Sequence, residues 1–189
     1  MIWRLCLPRC RDDALLTATS LSVYRHGHPV FSPISLSLNP GETLAVRGAN
    51  GSGKTTLLRC LAGILEPDQG ELHCPEPALY VGHTPGIPSD TVVKDAFGLT
   101  EDAITTLGLK PHLNKSLRQL SAGQQHKVAL ARLWSLPGKL WLLDEPTVHL
   151  DAATTELFWG MAEAHLAAGG AIIYTTHDDH RKGTREVVL

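Results

Sequence analysis

The sequence lacks the features that would mark a membrane-spanning, secreted or nucleic-acid-binding protein. No apolar run reaches about 18 residues, the length that a transmembrane helix needs. The four cysteines form no C-x-x-C pair, and the N-terminal segment does not have the pattern of a secretory leader. Both observations are typical of reduced thiols in a cytosolic chain. Lys and Arg number 17 against 19 Asp and Glu, so the net charge of −2 offers no basic surface for nucleic acid or anionic lipid. Any membrane role therefore has to come through a partner.

What the chain does have is the composition of one globular domain. Its 189 residues are 43% hydrophobic and 19% charged, and about 100–200 residues make a domain. Strand patterns alternate with helix patterns, which predicts an α/β fold with a mainly parallel sheet covered on both faces. The predicted strands span 15–23, 30–38, 42–47, 71–74, 78–82, 139–143 and 171–176, and the predicted helices span 54–62, 90–97, 101–107, a stretch from Ser121, and 151–168. Residues 1–14 have no period and predict an irregular extension, and about 84–135 predicts a small helical lobe.

The strongest local signal is a glycine-rich loop between a predicted strand and a predicted helix. Residues 48–55 read GANGSGKT and match G-x-x-x-x-G-K-[ST], a loop whose backbone N–H groups cradle phosphates at a helix N-terminus. Lys54 is expected to reach the β- and γ-phosphates, and Thr55 is expected to bind Mg²⁺. A loop that only resembles the motif is the alternative, and composition alone produces one in about a hundred chains. The predicted phosphate-binding residues are Gly48, Ala49, Asn50, Gly51, Ser52, Gly53, Lys54, Thr55 and Thr56.

A second signal is an apolar run that ends in two acids. Residues 140–145 read LWLLDE, the pattern of a buried strand that carries carboxylates to the ligand-binding edge of an α/β sheet. Asp144 is predicted to orient Mg²⁺ or its water. Glu145 is predicted to polarise the attacking water, a general-base role worth about 10²–10⁴ in rate. Solvated acids at the start of a loop are the alternative.

A third signal is a second helix start built from small residues. Residues 120–125 read LSAGQQ, in which Ser121 and Gln124 fit a capping box and the free N–H groups can hold another anion. One nucleotide does not need two helix starts so far apart in the sequence. The pair makes sense if two copies of the chain sandwich each nucleotide.

In this order the motifs resemble the ATP-binding cassette (ABC) ATPase family. Residues 48–55 match its Walker A motif, LSAGQ at 120–124 is similar to its LSGGQ signature, and LLDE at 142–145 matches Walker B. His177, directly after strand 171–176, falls at the family's switch histidine.

The resemblance implies a P-loop NTPase fold of ABC type over 15–189, with an antiparallel β portion beside the parallel sheet. It implies ATP and Mg²⁺ as cofactors, Glu145 and His177 as catalytic residues, and a homodimer in the ATP-bound state. Each copy would present Ser121, Gly123 and Gln124 to the nucleotide held by the other copy.

Residues 118–147 and 80–87 are most similar to the branch of the family that serves the haem exporter of bacterial cytochrome c biogenesis. That branch carries Gly-His where most of the family has the Gln of the Q-loop, so His83 is expected beside the nucleotide. The resemblance implies an integral membrane permease as partner and a peripheral position on the cytoplasmic face of the inner membrane, with no nucleic acid. Another small exporter ATPase and a non-transport ABC protein are the alternatives. The lobe is shorter than is usual in the family.

Two weaker features carry competing interpretations. Tyr24 lies where the family stacks an aromatic ring on adenine, with Arg25 and His28 as rivals for that role. Cys74-Pro75 is a pair of the kind that sometimes ligates haem, but a turn between two strands explains it equally well. Direct haem binding is therefore not expected. No histidine cluster has a metal-ligand spacing with cysteines or acids.

Overall fold

The computed structural model describes residues 14–83, 86–177 and 184–189. The predicted extension lies almost entirely outside these ranges, as do Cys6, Cys10 and His180. The strands are β1 (Leu16–Ser22), β2 (Tyr24–Arg25), β3 (His28–Pro29), β4 (Ile34–Leu38), β5 (Thr43–Arg47), β6 (Gln69–His73), β7 (Leu79–Val81), β8 (Leu140–Leu143), β9 (Ala171–Thr175) and β10 (Arg185–Val188). The α-helices are α1 (Lys54–Leu61), α2 (Glu101–Thr106), α3 (Ala122–Ser135) and α4 (Ala152–Ala167), and single 3₁₀ turns span Val93–Asp95, Lys110–His112 and Leu117–Gln119.

A five-stranded parallel sheet forms the centre, in the order β10-β5-β9-β8-β7. Every residue of β8 and β9 is buried, as the uninterrupted apolar runs predict for strands covered on both faces. Alternate residues serve opposite layers: Leu140 and Leu142 pack with α1, whereas Trp141 and Leu143 pack with α3 and α4. The predicted two-sided parallel sheet is thus confirmed.

A second, antiparallel sheet in the order β4-β1-β6 covers the outer side of α1. Leu57, Leu58 and Leu61 of α1 are at most 1% exposed because they are enclosed between the two sheets. The predicted strand 30–38 is too long, since only Ile34–Leu38 pairs with β1. Pro33, which has no N–H group to donate to a ladder, directly precedes the paired segment.

The segment after β7 is where the sequence predictions succeed least. The helix predicted at 101–107 is confirmed as α2, and the Thr100 hydroxyl caps it by accepting from the Ala103 N–H. The helix predicted at 90–97 is wrong, because only Val93–Asp95 makes a 3₁₀ turn. The Val93 and Lys94 N–H groups donate instead to the carbonyls of Lys115 and Leu113, and such long-range bonds compete with an i to i+4 ladder.

The two predicted helix caps are confirmed. Ser121 caps α3 in a full capping box with Gln124, and the Asp151 side chain caps α4 by accepting from the Thr154 N–H. In the ranges that the structure describes, no helix combines the length and the apolar character needed to cross a bilayer.

Candidate nucleotide-binding and hydrolytic site

The glycine-rich loop joins β5 to α1 at the carboxyl edge of the central sheet. Gly53 takes the N-cap position of α1 with a left-handed φ of 99°, and no side chain of the described residues caps the helix. A Cβ at Gly53 would lie 2.8 Å from Val30 Cγ1 and 3.0 Å from Phe31 Cδ1, so the packing as well as the torsion requires glycine. The first N–H groups of α1 have no acceptor within the helix. The loop therefore ends in an open, electropositive helix start of the kind that binds phosphate.

Lys54 lies inside this loop. Its side chain is only 7% exposed, and Nζ donates to the carbonyl oxygens of Gly48 at 2.9 Å and Ala49 at 3.0 Å. The ammonium group is thus folded over the anion nest, in position to exchange these neutral acceptors for phosphate oxygens. A charged acceptor makes the stronger hydrogen bond.

Asp144 is tied to two neighbouring elements by hydroxyl groups. Thr55 Oγ1, in the first turn of α1, donates to Asp144 Oδ2 at 2.7 Å, and Thr175 Oγ1, at the end of β9, donates to Oδ1 at 2.7 Å. The residue is 3% exposed, so its carboxylate is fixed in one orientation. Mg²⁺ commonly takes one or two carboxylates together with substrate phosphates and waters. The hard oxygens of Asp144 and Thr55 fit that donor set.

Glu145 begins the turn after β8 with a left-handed φ of 53°, an uncommon conformation for a residue other than glycine. Its N–H donates to Thr175 Oγ1 at 2.8 Å, so one threonine fixes both acids of the pair. His177 Nε2 lies 2.7 Å from Glu145 Oε1, and His83 Nδ1 lies 3.7 Å from Oε2. The predicted catalytic pair of Glu145 and His177 is brought together at hydrogen-bonding distance.

A cavity of about 500 Å³ opens above these groups, a size within the usual range for small-molecule sites. It is lined by the hairpin residues Arg25, His28 and Pro29, by Val30, by Asn50, Gly51, Gly53, Lys54, Thr55 and Thr56, and by Glu145. The phosphate loop and the proposed general base therefore face one volume.

The hairpin of β2 and β3 contributes to the lining of this cavity. His26 and Gly27 both have positive φ, which fits the two-residue type I′ turn between paired strands. Arg25 and His28 pair across the hairpin and line the cavity. Tyr24 does not line it; its side chain is 39% exposed, and its N–H donates to Asp68 Oδ2 at 2.8 Å. Of the three residues considered for the adenine ring, the structure brings Arg25 and His28 to the cavity.

The residues of the third motif lie at the start of α3, and none of them lines this cavity. Ser121 Oγ accepts from the Gln124 N–H at 3.3 Å, and Gln124 Oε1 accepts from the Ser121 N–H at 3.0 Å. A Cβ at Gly123 would lie 2.5 Å from the carbonyl oxygen of His149, so this helix start packs directly on the turn that follows Glu145.

Two residues of the site carried no signal in the sequence. Thr175 is one threonine at the end of an apolar run, and its role depends on β9 lying beside β8. His126 in α3 is 6% exposed, and its Nε2 lies 2.8 Å from the Pro146 carbonyl oxygen. Burial lowers the pKa of His126, which holds the ring neutral against the turn after Glu145. Finding either residue from sequence would have required the order of the strands and the packing of α3.

Sequence comparison finds relatives over nearly the whole chain. A family profile described as ABC transporter matches residues 31–148. A Cupriavidus necator protein named cytochrome c biogenesis ATP-binding export protein CcmA is 41% identical, over 91% of this chain and 87% of the relative. Proteins of the same name from Xanthomonas campestris and Nitrosomonas europaea are 40% and 39% identical, over 86% and 87% of this chain and 86% and 89% of the relatives.

Solved structures agree on the fold. A structure described as the ATP-binding subunit of an ABC transporter superposes with a TM-score of 0.77 at 23% identity, over 86% of this chain and 79% of that one. A dimeric ATP-binding cassette in a post-hydrolysis state, bound to ADP and phosphate, superposes with a TM-score of 0.76 at 20% identity, over 86% and 88%. The predicted α/β fold, with a parallel sheet, an antiparallel portion and a phosphate loop, is confirmed.

Proposed function

The chain belongs to the ABC transporter family, and from that membership we propose that it is the ATP-hydrolysing subunit of a haem exporter that serves cytochrome c biogenesis. The observation that carries the hydrolytic part is the Glu145 carboxylate, which lines the nucleotide cavity and lies 2.7 Å from His177 Nε2. The export part is supported by relatives at 39–41% identity that carry the name cytochrome c biogenesis ATP-binding export protein.

In the proposed reaction the open start of α1 and Lys54 bind the phosphate chain of ATP. Thr55 and Asp144 hold Mg²⁺, which supplies neutralisation of charge on the β- and γ-phosphates when bound. Glu145 accepts a proton from the water that attacks the γ-phosphorus, in line with the leaving ADP oxygen. His177, whose Nε2 lies 2.7 Å from Glu145 Oε1, is the second proposed catalytic residue. Arg25 and His28, which line the cavity, are the residues proposed to contact the adenine ring.

The active form proposed for this reaction is a dimer. One copy contributes residues 48–56 and Glu145, and the other contributes the start of α3, where Ser121, Gly123 and Gln124 meet the γ-phosphate. Ser121, Gly123 and Gln124 do not line the cavity of their own chain, which supports a contact with a nucleotide held by another copy. The N–H groups and hydroxyl of the α3 start are of the same phosphate-binding type as those of the phosphate loop.

The proposed partner is an integral membrane permease, and the proposed place is the cytoplasmic face of the bacterial inner membrane. Closure of the dimer on ATP and its opening after hydrolysis would drive that permease. No direct contact of this chain with haem is proposed. Coexpression with the cognate permease should move the chain into the membrane fraction. Equal sedimentation of the chain with and without the permease would contradict the docking.

Turnover of Mg²⁺-ATP by the purified chain tests the hydrolytic part. Glu145→Gln should bind Mg²⁺-ATP as the parent does and lose about 10²–10⁴ in turnover, because the proton acceptor is gone and the phosphate site remains. Glu71→Gln, an exposed glutamate of β6, is the matched control and should keep the parental rate. Parental turnover in Glu145→Gln would overturn the assignment.

Light scattering tests the dimer. The Glu145→Gln protein should dimerise with ATP and dissociate with ADP, which lacks the γ-phosphate. Ser121→Arg should prevent the dimer by bulk and charge while nucleotide binding by the monomer persists. A mixture of Lys54→Ala and Ser121→Arg chains retains at most one unmutated site in each mixed dimer, so its turnover should not exceed about half of the parental rate. Full turnover by a strict monomer would contradict the sandwich.

A further inference from the structure

Glu145 lies between two histidines that come from the strands on either side of it. In the order β9-β8-β7, His177 follows β9, Glu145 follows β8 and His83 follows β7. The parallel register aligns Val81 with Leu143, and the Asp144 N–H donates to the Val81 carbonyl at 2.8 Å. The ends of β7 and β8 are therefore fixed side by side at the edge that faces the nucleotide.

The two imidazoles approach different oxygens of the same carboxylate. His177 Nε2 lies 2.7 Å from Oε1, and His83 Nδ1 lies 3.7 Å from Oε2. The first distance is that of a hydrogen bond. The second lies within ion-pair distance, and contacts between catalytic groups often become shorter in the complex with substrate. Both carboxylate oxygens of the neighbouring Asp144 already accept hydrogen bonds, from Thr55 and Thr175. The acidic oxygen that faces His83 is Oε2 of Glu145.

We propose that His83 is a positioning residue for the general base, and that its Nδ1 fixes the second oxygen of Glu145. The terminal torsion of a glutamate is broad, so a contact to one oxygen leaves the carboxylate free to rotate, whereas contacts to both oxygens fix its plane. The left-handed backbone of Glu145 adds a reason, since a strained residue persists where its surroundings over-determine it.

This role differs from the one that the resemblance assigns to His83. The resemblance expects a nucleotide contact at this position, where most of the family has glutamine. A positioning role instead predicts an effect on kcat and none on the KM for ATP. Misplacing a reacting group by about 1 Å can cost 10²-fold, so His83→Ala should lower kcat by about ten- to a hundredfold. The inference rests on the proposed ATP hydrolysis.

Asparagine and glutamine distinguish the two nitrogens of the ring. The amide nitrogen of Asn occupies the place of Nδ1, and that of Gln occupies the place of Nε2. Because Nδ1 faces Glu145, His83→Asn should restore most of the turnover that His83→Ala loses, and His83→Gln should not. His73→Ala, an exposed histidine of β6, is the control and should keep the parental kcat and KM.

The experiment is steady-state Mg²⁺-ATP turnover of the full chain and its variants, with melting temperatures to show that each variant is folded. Retained kcat in His83→Ala overturns the inference. Rescue by Gln and not by Asn, or a raised KM with an unchanged kcat, overturns it in favour of a nucleotide contact. As a further check, adding His83→Ala to Glu145→Gln should slow the residual turnover no further, since the base that His83 positions is gone. An additional loss in the double variant would contradict the proposal.

The same measurements separate this inference from the function on which it rests. If the parent does not hydrolyse ATP, or if Glu145→Gln hydrolyses it normally, the proposed function fails. If the parent hydrolyses ATP, Glu145→Gln does not, and the His83 series stays at the parental rate, only the positioning role fails.

Discussion

The two helix starts to which we assign phosphate binding are built in opposite ways. Helix α1 begins at Gly53 in a left-handed conformation with no side-chain cap, between two sheets that bury its leucines. Helix α3 begins at Ser121, an exposed residue whose side chain and that of Gln124 fill each other's hydrogen bonds. The start of α1 has no side-chain cap, whereas at the start of α3 the N–H groups of Ser121 and Gln124 are already hydrogen-bonded within the cap.

The difference indicates what each start needs. A helix-start N–H group without an acceptor destabilises the fold when it is shielded from water. A phosphate bound in the same chain would therefore stabilise the uncapped start of α1 more than the capped start of α3. The capped start of α3 is stable without a ligand. Ser121 Oγ acts as the acceptor in its cap, which leaves its own hydrogen for a phosphate oxygen that arrives from outside. The open start of α1 therefore suits a phosphate bound in its own chain, and the capped start of α3 suits a phosphate presented by the proposed second copy.

The largest expected effect separates the two starts by nucleotide affinity. Lys54→Ala removes the cation of the open start, and charge-assisted hydrogen bonds contribute about 1.5–3 kcal/mol each. The Kd for ATP should rise about ten- to a hundredfold, measured by titration calorimetry. Lys139→Ala, which removes an exposed lysine paired with Glu76, is the control and should leave the Kd unchanged. Equal affinities of Lys54→Ala and the parent would break the comparison.

The next largest effect is on ATP-dependent dimerisation, with no change in the affinity of the monomer for ATP. A Cβ at Gly123 would meet the His149 carbonyl at 2.5 Å, so Gly123→Ala must displace either α3 or the turn after Glu145. Because the proposed dimer needs both elements in place, ATP-dependent dimerisation and turnover should fall about tenfold, which corresponds to about 1.4 kcal/mol. The Kd of the monomer for ATP should stay at the parental value.

Gly160→Ala is the matched control for that variant. Gly160 lies inside α4, and a Cβ there would meet nothing within 4 Å. Alanine should raise the free energy of unfolding by up to about 1 kcal/mol through helix propensity and leave turnover unchanged. If Gly123→Ala dimerises and hydrolyses ATP as Gly160→Ala does, the close contact with His149 is not needed for dimerisation or turnover.

The sequence predicted best the features that neighbouring residues encode. The phosphate loop, the capping box at Ser121, the cap at Asp151 and the buried strands β8 and β9 each depend on a short local pattern, and each is present. Strand β10 was not predicted, because its REVV segment is half polar and is paired by β5, which lies far earlier in the chain.

What the sequence could not supply depends on which strands are neighbours. Thr175 fixes both Asp144 and Glu145 only because β9 lies beside β8. His83 faces Glu145 only because β7 lies on the other side of β8. The choice among Tyr24, Arg25 and His28 required the hairpin register, since a one-residue shift reverses which side chains face the cavity.

A smaller effect tests the capped start by stability alone. Ser121→Ala removes the hydroxyl that accepts from the Gln124 N–H, and losing such a cap costs about 1 kcal/mol. The melting temperature should fall by about 2–4 °C, while the Kd of the monomer for ATP stays unchanged. Ser121→Thr keeps a capping hydroxyl and should restore most of the loss. A melting temperature equal to that of the parent in Ser121→Ala would show that the cap is dispensable.

The smallest expected effect concerns the pH dependence of the contact between His126 in α3 and the Pro146 carbonyl in the turn after Glu145. Burial lowers the pKa of His126 from its ordinary 6.5, with His149 and His83 nearby also opposing its charge. The unfolded chain therefore binds a proton at His126 more readily than the folded chain does. The stability that comes from the neutral ring is present above about pH 6.5 and is lost as the pH falls below that value.

In His126→Gln the amide nitrogen takes the place of Nε2 and can still donate to the Pro146 carbonyl, without titrating. The loss of melting temperature between about pH 7.5 and about pH 5.5 should be smaller in this variant than in the parent. It should not vanish, because burial also lowers the pKa of His165. His73→Gln, at an exposed position of β6, should keep the parental pH dependence. If His126→Gln loses as much melting temperature as the parent over this range, protonation of His126 does not contribute to the pH dependence of the stability of the fold.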